Sequence, residues 1–340
     1  MKFFSYVAAL VLLAGATASI PVQGQDQQAL VVTASNTASN NLLVYNSVGQ
    51  LIQTLPTGGK GGVAGNAGGI ATSHDLLAVV NFGSDNVSIF ARSADGFRLK
   101  QTVPTESSPV SVAFGHEHLY ILGSTKVESH QVFEFGVSPS PDGQAGLVKA
   151  DGSAAQVGVL DKQLIISEKS NAIETVNLRP EGAVEDVSTL VQNIPANVNA
   201  PFGLVTRDNE AYVTIAHANE ISLVRDDLVL TVTGSGTQSA PCWVALDGPY
   251  LFSANSPSMS VSRYVVYGQQ IIQDAAVAAS FNGNPTDIAY RASRVAVIDH
   301  SGAISHLSIF SVDGDGNLTL KNVATIASAA NGVAIVRAED

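Results

Sequence analysis

Five short stretches of this 340-residue chain set ionisable and amide side chains close together: Asn81, Asp85 and Asn86; Glu168, Lys169 and Asn171; His217, Asn219 and Glu220; Asn255; and Asp299 with His300. An acid, a cation and two imidazoles that converge can supply a general base, a general acid and stabilisation of a developing oxyanion. Glu168 is the candidate base, because a carboxylate held near Lys169 can stay ionised while reaching a water or a ring proton. His217 and His300 are the candidate acids, since imidazole titrates near neutral pH. Lys169, Asn81, Asn171, Asn255 and Asp299 are candidates for holding a ligand. The competing reading is that all of these are solvated loop residues.

Other residues of chemical type carry less. His116 and His118, in "GHEH", share one face of a strand and could bind a metal, but no third ligand is visible and no metal is expected. His74 occupies the equivalent turn. "DGDGN", from residue 313, imitates the start of a calcium loop without its later Glu and reads better as a hairpin turn. Cys242, the single cysteine, rules out an internal disulfide. It could be a thiol nucleophile only with a base beside it, and a packed core thiol is the preferred reading. The stretch "GGKGGVAGNAGG", residues 58–69, lacks the Lys-Ser/Thr ending and the helix of a phosphate cradle, so it reads as a flexible connection.

The elements that must position these groups are strands. One phrase recurs at intervals of 40 to 47 residues, starting near Gly69, Pro109, Gln156, Pro201, Pro241 and Pro285, as in "PVSVAFGHEHLYILGS" and "PCWVALDGPYLFSANS". Its apolar runs alternate at period two, without helical periodicity. Each unit continues through a Gly or Asp turn into a third and a fourth strand, which is the blade of a β-propeller. The C-terminal "NGVAIV" reads as a first strand with nothing after it, and "QALVVTASNT" as a second strand with nothing before it. Joined, they make a seventh blade and close the ring, removing exposed sheet edges. The prolines that open several units suit the first position of a strand, where no ladder N–H is needed. In such a ring the loops between second and third strands gather on the face where inner strands begin. The five stretches named first lie in those loops, at the mouth of the central channel.

Composition bounds what the ring can do. Residues 1–18, "MKFFSYVAALVLLAGATA", place one Lys before an apolar run ending in the small-x-small site Ala16-Thr17-Ala18, which reads as a secretory signal peptide. Residues 19–340 then form one all-β domain, expected to be a monomer outside the cell or in its wall and free of the membrane. Losing Lys2 leaves 16 basic residues (17 − 1) against 29 acidic ones, a formal charge of −13. With no cluster of Lys and Arg, nucleic acid is not a partner. Asn86 in "NVS" and Asn317 in "NLT" are glycosylation sequons.

The phrases "VVNFGSDNVSIFAR", "SSPVSVAFGHEHLYILGS", "LIISEKSNAIETVNL", "APCWVALDGPYLFSANSPSMSVSRYVV" and "GNLTL" resemble the lactonase-type seven-bladed propellers over roughly residues 28–336. That family holds bacterial phosphogluconolactonases and fungal carboxymuconate lactonizing enzymes, and the chain is most similar to secreted fungal members labelled carboxymuconate cyclase-like. The resemblance implies a seven-bladed fold and opening or closing of a lactone, by His with Arg and acidic partners near the channel. Here the inner strands begin Pro-Val-Ser, Gln-Val-Gly, Pro-Phe-Gly, Pro-Cys-Trp and Pro-Thr-Asp, with no His and no Arg. A phosphorylated or tricarboxylate substrate needs such cations. A small sugar or aromatic-acid-derived lactone is therefore one expectation, and no cofactor is implied. A non-catalytic propeller that binds glycans or proteins is the other, suited by the amide-rich loops.

Overall fold

The computed structural model describes residues 29–93, 96–195 and 200–337, and the signal-peptide reading of residues 1–18 lies outside them. The first blade takes its inner strand from the C-terminus: β1 (Ala29–Ala34), β2 (Asn41–Tyr45) and β3 (Leu51–Pro56) follow an inner β29 (Asn331–Arg337). The second is β4 (Ile70–Ser73), β5 (Leu76–Asn81), β6 (Asn86–Ser93) and β7 (Gly96–Pro104). The third is β8 (Pro109–Gly115), β9 (His118–Gly123) and β10 (Lys126–Phe133), edged by the short β11 (Gly136–Val137) and β12 (Gly143–Gly146). The fourth comprises β13 (Ala154–Val159), β14 (Gln163–Glu168), β15 (Ala172–Leu178) and β16 (Val184–Leu190); the fifth, β17 (Pro201–Arg207), β18 (Glu210–Ile215), β19 (Glu220–Arg225) and β20 (Leu228–Gly234). The sixth is β21 (Pro241–Asp247), β22 (Tyr250–Asn255), β23 (Ser260–Tyr267) and β24 (Gln270–Ser280), and the seventh β25 (Asn284–Arg291), β26 (Arg294–Ser301), β27 (Ile304–Val312) and β28 (Leu318–Ile326).

Every blade is an antiparallel meander, and each inner strand touches the next from β4 through β8, β13, β17, β21 and β25 to β29, which returns to β4. The fold is a seven-bladed β-propeller. Its closure is the expected one: Ala29 to Thr33 pair in register with Arg337 to Val333. Sequence pattern follows depth in the ring. Second strands such as β5, "LLAVVN", are buried at every position because blades cover both faces, whereas the outer β3 alternates toward solvent. Blade-to-blade layers are filled by large side chains, with Phe90, Tyr120, Tyr212, Phe252 and Tyr264 fully buried. Complete burial of such an apolar side chain stabilises by roughly 1.5–3 kcal/mol.

The recurring prolines sit where the sequence places them, and they also mark a kink. Pro109, Pro201 and Pro241 begin their strands and Pro285 is second in its own. In each case the pairing slips just after the proline, between Pro109 and Ser111, Pro201 and Leu204, Pro241 and Trp243, and Pro285 and Asp287. These bulges rotate the next side chains relative to a regular strand. Opposite the prolines stand Gly123, Ile215, Asn255 and Asp299, with Glu168 opposite Ala154 in the fourth blade. This corner position, at or near the end of each second strand, decides the fate of several candidate residues.

Candidate functional site

The face on which the inner strands begin does not present an open channel. Residues 58–69 lie across it. Asn66, only 1% exposed, accepts from Trp243 Nε1 at its carbonyl (3.0 Å), donates from Nδ2 to the Val110 carbonyl (2.6 Å) and accepts from Asn331 Nδ2 at Oδ1 (2.9 Å). Those partners belong to the sixth, third and first blades, so Asn66 sits over the axis of the ring. Ala67 N donates to the Ala155 carbonyl (3.1 Å) and Lys169 Nζ to the Gly65 carbonyl (2.5 Å), which adds the fourth blade. Glycine is required where this plug presses on its neighbours. A Cβ on Gly61 would stand 2.3 Å from the Asn36 carbonyl carbon, and one on Gly68, at φ +65°, 2.8 Å from Ser111 Oγ. The reading of this stretch as a flexible connection is corrected: it joins two blades and is bolted to four. Beneath it a chamber of about 230 Å³ is lined by Gln156, Trp243, Asp287 and Tyr290. Burial pushes the Asp287 carboxyl up to about 7, and both its oxygens are engaged, by Ile288 N (2.8 Å) and Val333 N (3.0 Å).

Most residues expected at the mouth are spent on the fold. Asn81 is fully buried: Asn40 Nδ2 and Thr57 Oγ1 donate to its Oδ1, and its Nδ2 donates to Asn86 Oδ1 and Ser88 Oγ. Asn255 is held in the same way by Ser253, Ser260 and Ser262. Asn219 takes the left-handed conformation that starts β19 and accepts from Ala240 N, while Asp85 does the equivalent with Ser108 Oγ. Asn171, also at positive φ, is an exception, since its Oδ1 is buried without a hydrogen-bond partner.

Glu168 departs furthest from expectation. It is fully buried at the corner of the fourth blade, and Lys169 turns away to the plug. Its neighbour is Glu174, whose Oε1 accepts from Val148 N (2.7 Å) and Lys149 N (3.2 Å). Neither Glu168 oxygen meets a donor, and burial, then Glu174, then the charge of Asp151 hold its carboxyl far above the usual carboxylate range. In place of an exposed base the structure has a carboxyl sealed from solvent, in surroundings that disfavour its charged form. His217 is exposed in a single helical turn, Ala216–Ala218, and His300 Nδ1 lies 2.5 Å from Ser305 Oγ. Glu168, His217 and His300 stand in the fourth, fifth and seventh blades, and no hydrogen bond joins any two of them.

On the opposite face, His116 and His118 flank the tight turn between β8 and β9 as expected. His116 Nε2 lies 2.9 Å from the Leu160 carbonyl; His118 contacts the His116 carbonyl through Nδ1 (2.7 Å) and Asp142 Oδ2 through Nε2 (2.8 Å). They line a cavity of about 610 Å³ together with His74, and there both nitrogens of His118 and Nε2 of His116 are already engaged. Among the described residues no three His, Cys, Asp or Glu side chains converge as metal ligands. Cys242 packs in the core cluster of Phe202 and Trp243, and burial pushes its thiol up to about 12. "DGDGN" is the hairpin turn between β27 and β28: Asp313 Oδ1 accepts from Asp315 N and Asn317 N (2.9 Å each).

One candidate residue faces usable space. Asp299, 2% exposed at the corner of the seventh blade, places Oδ2 3.3 Å from Nδ1 of His306, a residue the sequence reading passed over. The His306 side chain is 24% exposed, and no hydrogen bond engages its Nε2. The ring lines a cleft of about 420 Å³ between β24 and strands β26 to β28, a size that suits a small ligand. Ser280, Asn282 and Ser308 bring polar groups to it, and Phe281 and Phe310, edge to face at 6.0 Å, form an apolar wall. Gly283 lets the chain pass over this corner: a Cβ there would lie 2.5 Å from the His300 carbonyl and 2.6 Å from Asp299 Oδ2. A carboxylate that fixes one imidazole nitrogen and leaves the other lone pair toward a cleft is the arrangement of a general base.

No family model matches the chain, and no curated protein does. Its fold is shared by solved structures, among them two named as lactonases. A proposed 6-phosphogluconolactonase of Bacteroides fragilis superposes with TM-score 0.64 at 15% identity, over 93% of this chain and 100% of its own. The periplasmic gluconolactonase of Pseudomonas aeruginosa gives 0.65 at 14%, over 91% and 99%. Virginiamycin B lyase of Staphylococcus aureus, in an inactive form with quinupristin, gives 0.55 at 14%, over 82% and 94%. The chain thus shares its seven-bladed propeller fold with these proteins.

Proposed function

We propose that this protein hydrolyses a lactone in the cleft between the sixth and seventh blades, with His306 as general base and Asp299 as the group that orients it. The observation that carries this reading is the Asp299–His306 pair, with His306 lining the cleft and no hydrogen bond on its Nε2. The likeness to gluconolactonase structures supports the substrate class. Asp299 holds the proton on Nδ1, so Nε2 takes a proton from water as the water oxygen attacks the lactone carbonyl. The ring C–O bond then breaks, and the same nitrogen returns the proton to the departing alkoxide. One water is consumed and one hydroxy acid is formed.

Purified protein assayed on a panel of lactones tests this. Loss of a general base costs roughly 10² to 10⁴ in rate. His306→Gln is expected to lower kcat in that range, whereas Glu168→Gln, His217→Ala and His300→Ala, the choices drawn from sequence, leave most of it. Full turnover by His306→Gln sinks the assignment. The second reading, a propeller that only binds a glycan or a protein, is favoured by the sealed channel mouth and predicts no turnover by the wild type. Secretion as a monomer, outside the cell or in its wall, belongs to the same proposal. It is supported by the Ala16-Thr17-Ala18 site and the closed ring, and no helix among the described residues is long and apolar enough to cross a membrane. Both sequon amides are bonded within the fold, Asn86 Nδ2 to Ser84 and Asn317 Nδ2 to Asp313, but Asn317 is exposed in its hairpin whereas Asn86 is half-buried, so glycosylation is expected first at Asn317.

A further inference from the structure

The walls of the cleft say more about its ligand than the fold does. Phe281, Phe310, Leu318, Leu320 and Val323 line it, no Lys or Arg does, and its one carboxylate is committed to His306. Leu320 and Val323 are 52% and 48% exposed, so this apolar surface has no protein cover. A sugar lactone would set several hydroxyls against these side chains without partners, and an aldonolactone phosphate or a tricarboxylate would find no cation. Polar groups left unpaired on binding are strongly discriminated against. An alkyl substituent, by contrast, removes Leu320 and Val323 from water along with itself. Donors and acceptors are confined to the end where Asp299, His306 and Ser308 meet Asn282, which is where a lactone carbonyl must lie to be attacked.

We infer that the substrate class of this cleft is a neutral lactone carrying an apolar chain or ring, with the lactone head at His306 and the tail along Leu318, Leu320 and Val323. The inference rests on the hydrolytic reading given above for its chemistry, but the selection for an apolar tail is a property of the walls alone. Burying one methylene is worth about a fourfold gain.

The test uses γ-lactones with side chains of one, four and six carbons, glucono-δ-lactone and its 6-phosphate. Two quantities are measured on each: kcat/KM of the full-length secreted protein, and Kd for the His306→Gln variant by calorimetry. Both should improve about fourfold per methylene until the cleft is filled, and Leu320→Asn should flatten that dependence in both. Hydrolysis of glucono-δ-lactone in preference to the six-carbon lactone overturns the inference and leaves the hydrolytic reading standing. Tail-dependent Kd without turnover of any lactone by the wild type overturns the hydrolytic reading and keeps the apolar class. Kd indifferent to tail length overturns the inference whatever the turnover.

Discussion

The channel mouth and the inter-blade cleft are built from similar side chains, yet of the two only the cleft sets an imidazole held by a carboxylate against an apolar wall. At the mouth, Asn66, Asn81 and Asn255 have their amides paired, and Lys169 is tied to a carbonyl of the plug. At the cleft, one nitrogen of His306 remains free beside a half-open apolar wall. Where seven blades crowd together an unpaired buried polar group costs about 1–3 kcal/mol, so most are paired there, with the Glu168 carboxyl and Asn171 Oδ1 as exceptions. Farther out the blades diverge, and a polar group can stay unpaired by facing solvent.

The largest expected effect breaks both regions at once. Deleting residues 331–340 removes β29, with it the Asn331 clamp on Asn66 and the Val333 donor to Asp287, and leaves β1 and β25 without their inner neighbour. The truncated chain should show no cooperative unfolding transition by calorimetry; an unchanged Tm would contradict closure of the ring by its two ends.

Two single substitutions separate the regions. Asn66→Ala orphans the Val110 carbonyl and the Asn331 amide, and should lower stability by roughly 1–3 kcal/mol for each partner while lactone turnover stays within about twofold. Gly283→Ala should lose turnover, and some stability with it, because its methyl meets the His300 backbone carbonyl at 2.5 Å as well as Asp299 Oδ2 at 2.6 Å. Displacing the orienting carboxylate by a fraction of an ångström should cost roughly 10- to 100-fold in kcat. Urea midpoints and kcat measured on both variants check the pair. If Asn66→Ala is the one that loses turnover, the mouth and not the cleft is the site.

The fold was legible because each blade spells itself out in period-two runs, punctuated by proline at the inner strands and by Gly or Asp at the hairpins. The ends completed a blade by the same logic. The site was far less legible. Side-chain direction at the corners depends on the bulge after each leading proline, and nothing local signals whether Glu168 or Asn255 turns inward. Nor does the Gly-rich stretch announce that it spans the axis, since its partners lie up to 265 residues away. His306 could have been found. A two-residue turn at Gly302 and Ala303 fixes the hairpin register, which sets Asp299 opposite His306, and alternation puts Ser308 and Phe310 on the same face.

The smallest effect sharpens the contrast between corners. The second blade fills its corner with the balanced set Asn81, Ser88 and Thr57; the fourth fills the equivalent corner with Glu168 and Glu174, where donors are scarce. A carboxyl with a raised value in the folded state keeps its proton there after the unfolded chain has released its own. The stabilisation it gives is complete below the unfolded value of about 4.3 and is lost progressively as pH rises from there toward the folded value. Glu168→Gln removes that dependence and brings an amide donor to Glu174. Thermal unfolding from pH 4 to pH 8 should show the variant no more stable than wild type at the acid end and several degrees more stable at the alkaline end, each kcal/mol being worth roughly 2–4 °C. A constant difference across that range would mean that Glu168 carries no proton of its own, and that the fourth corner is filled by shape rather than by charge.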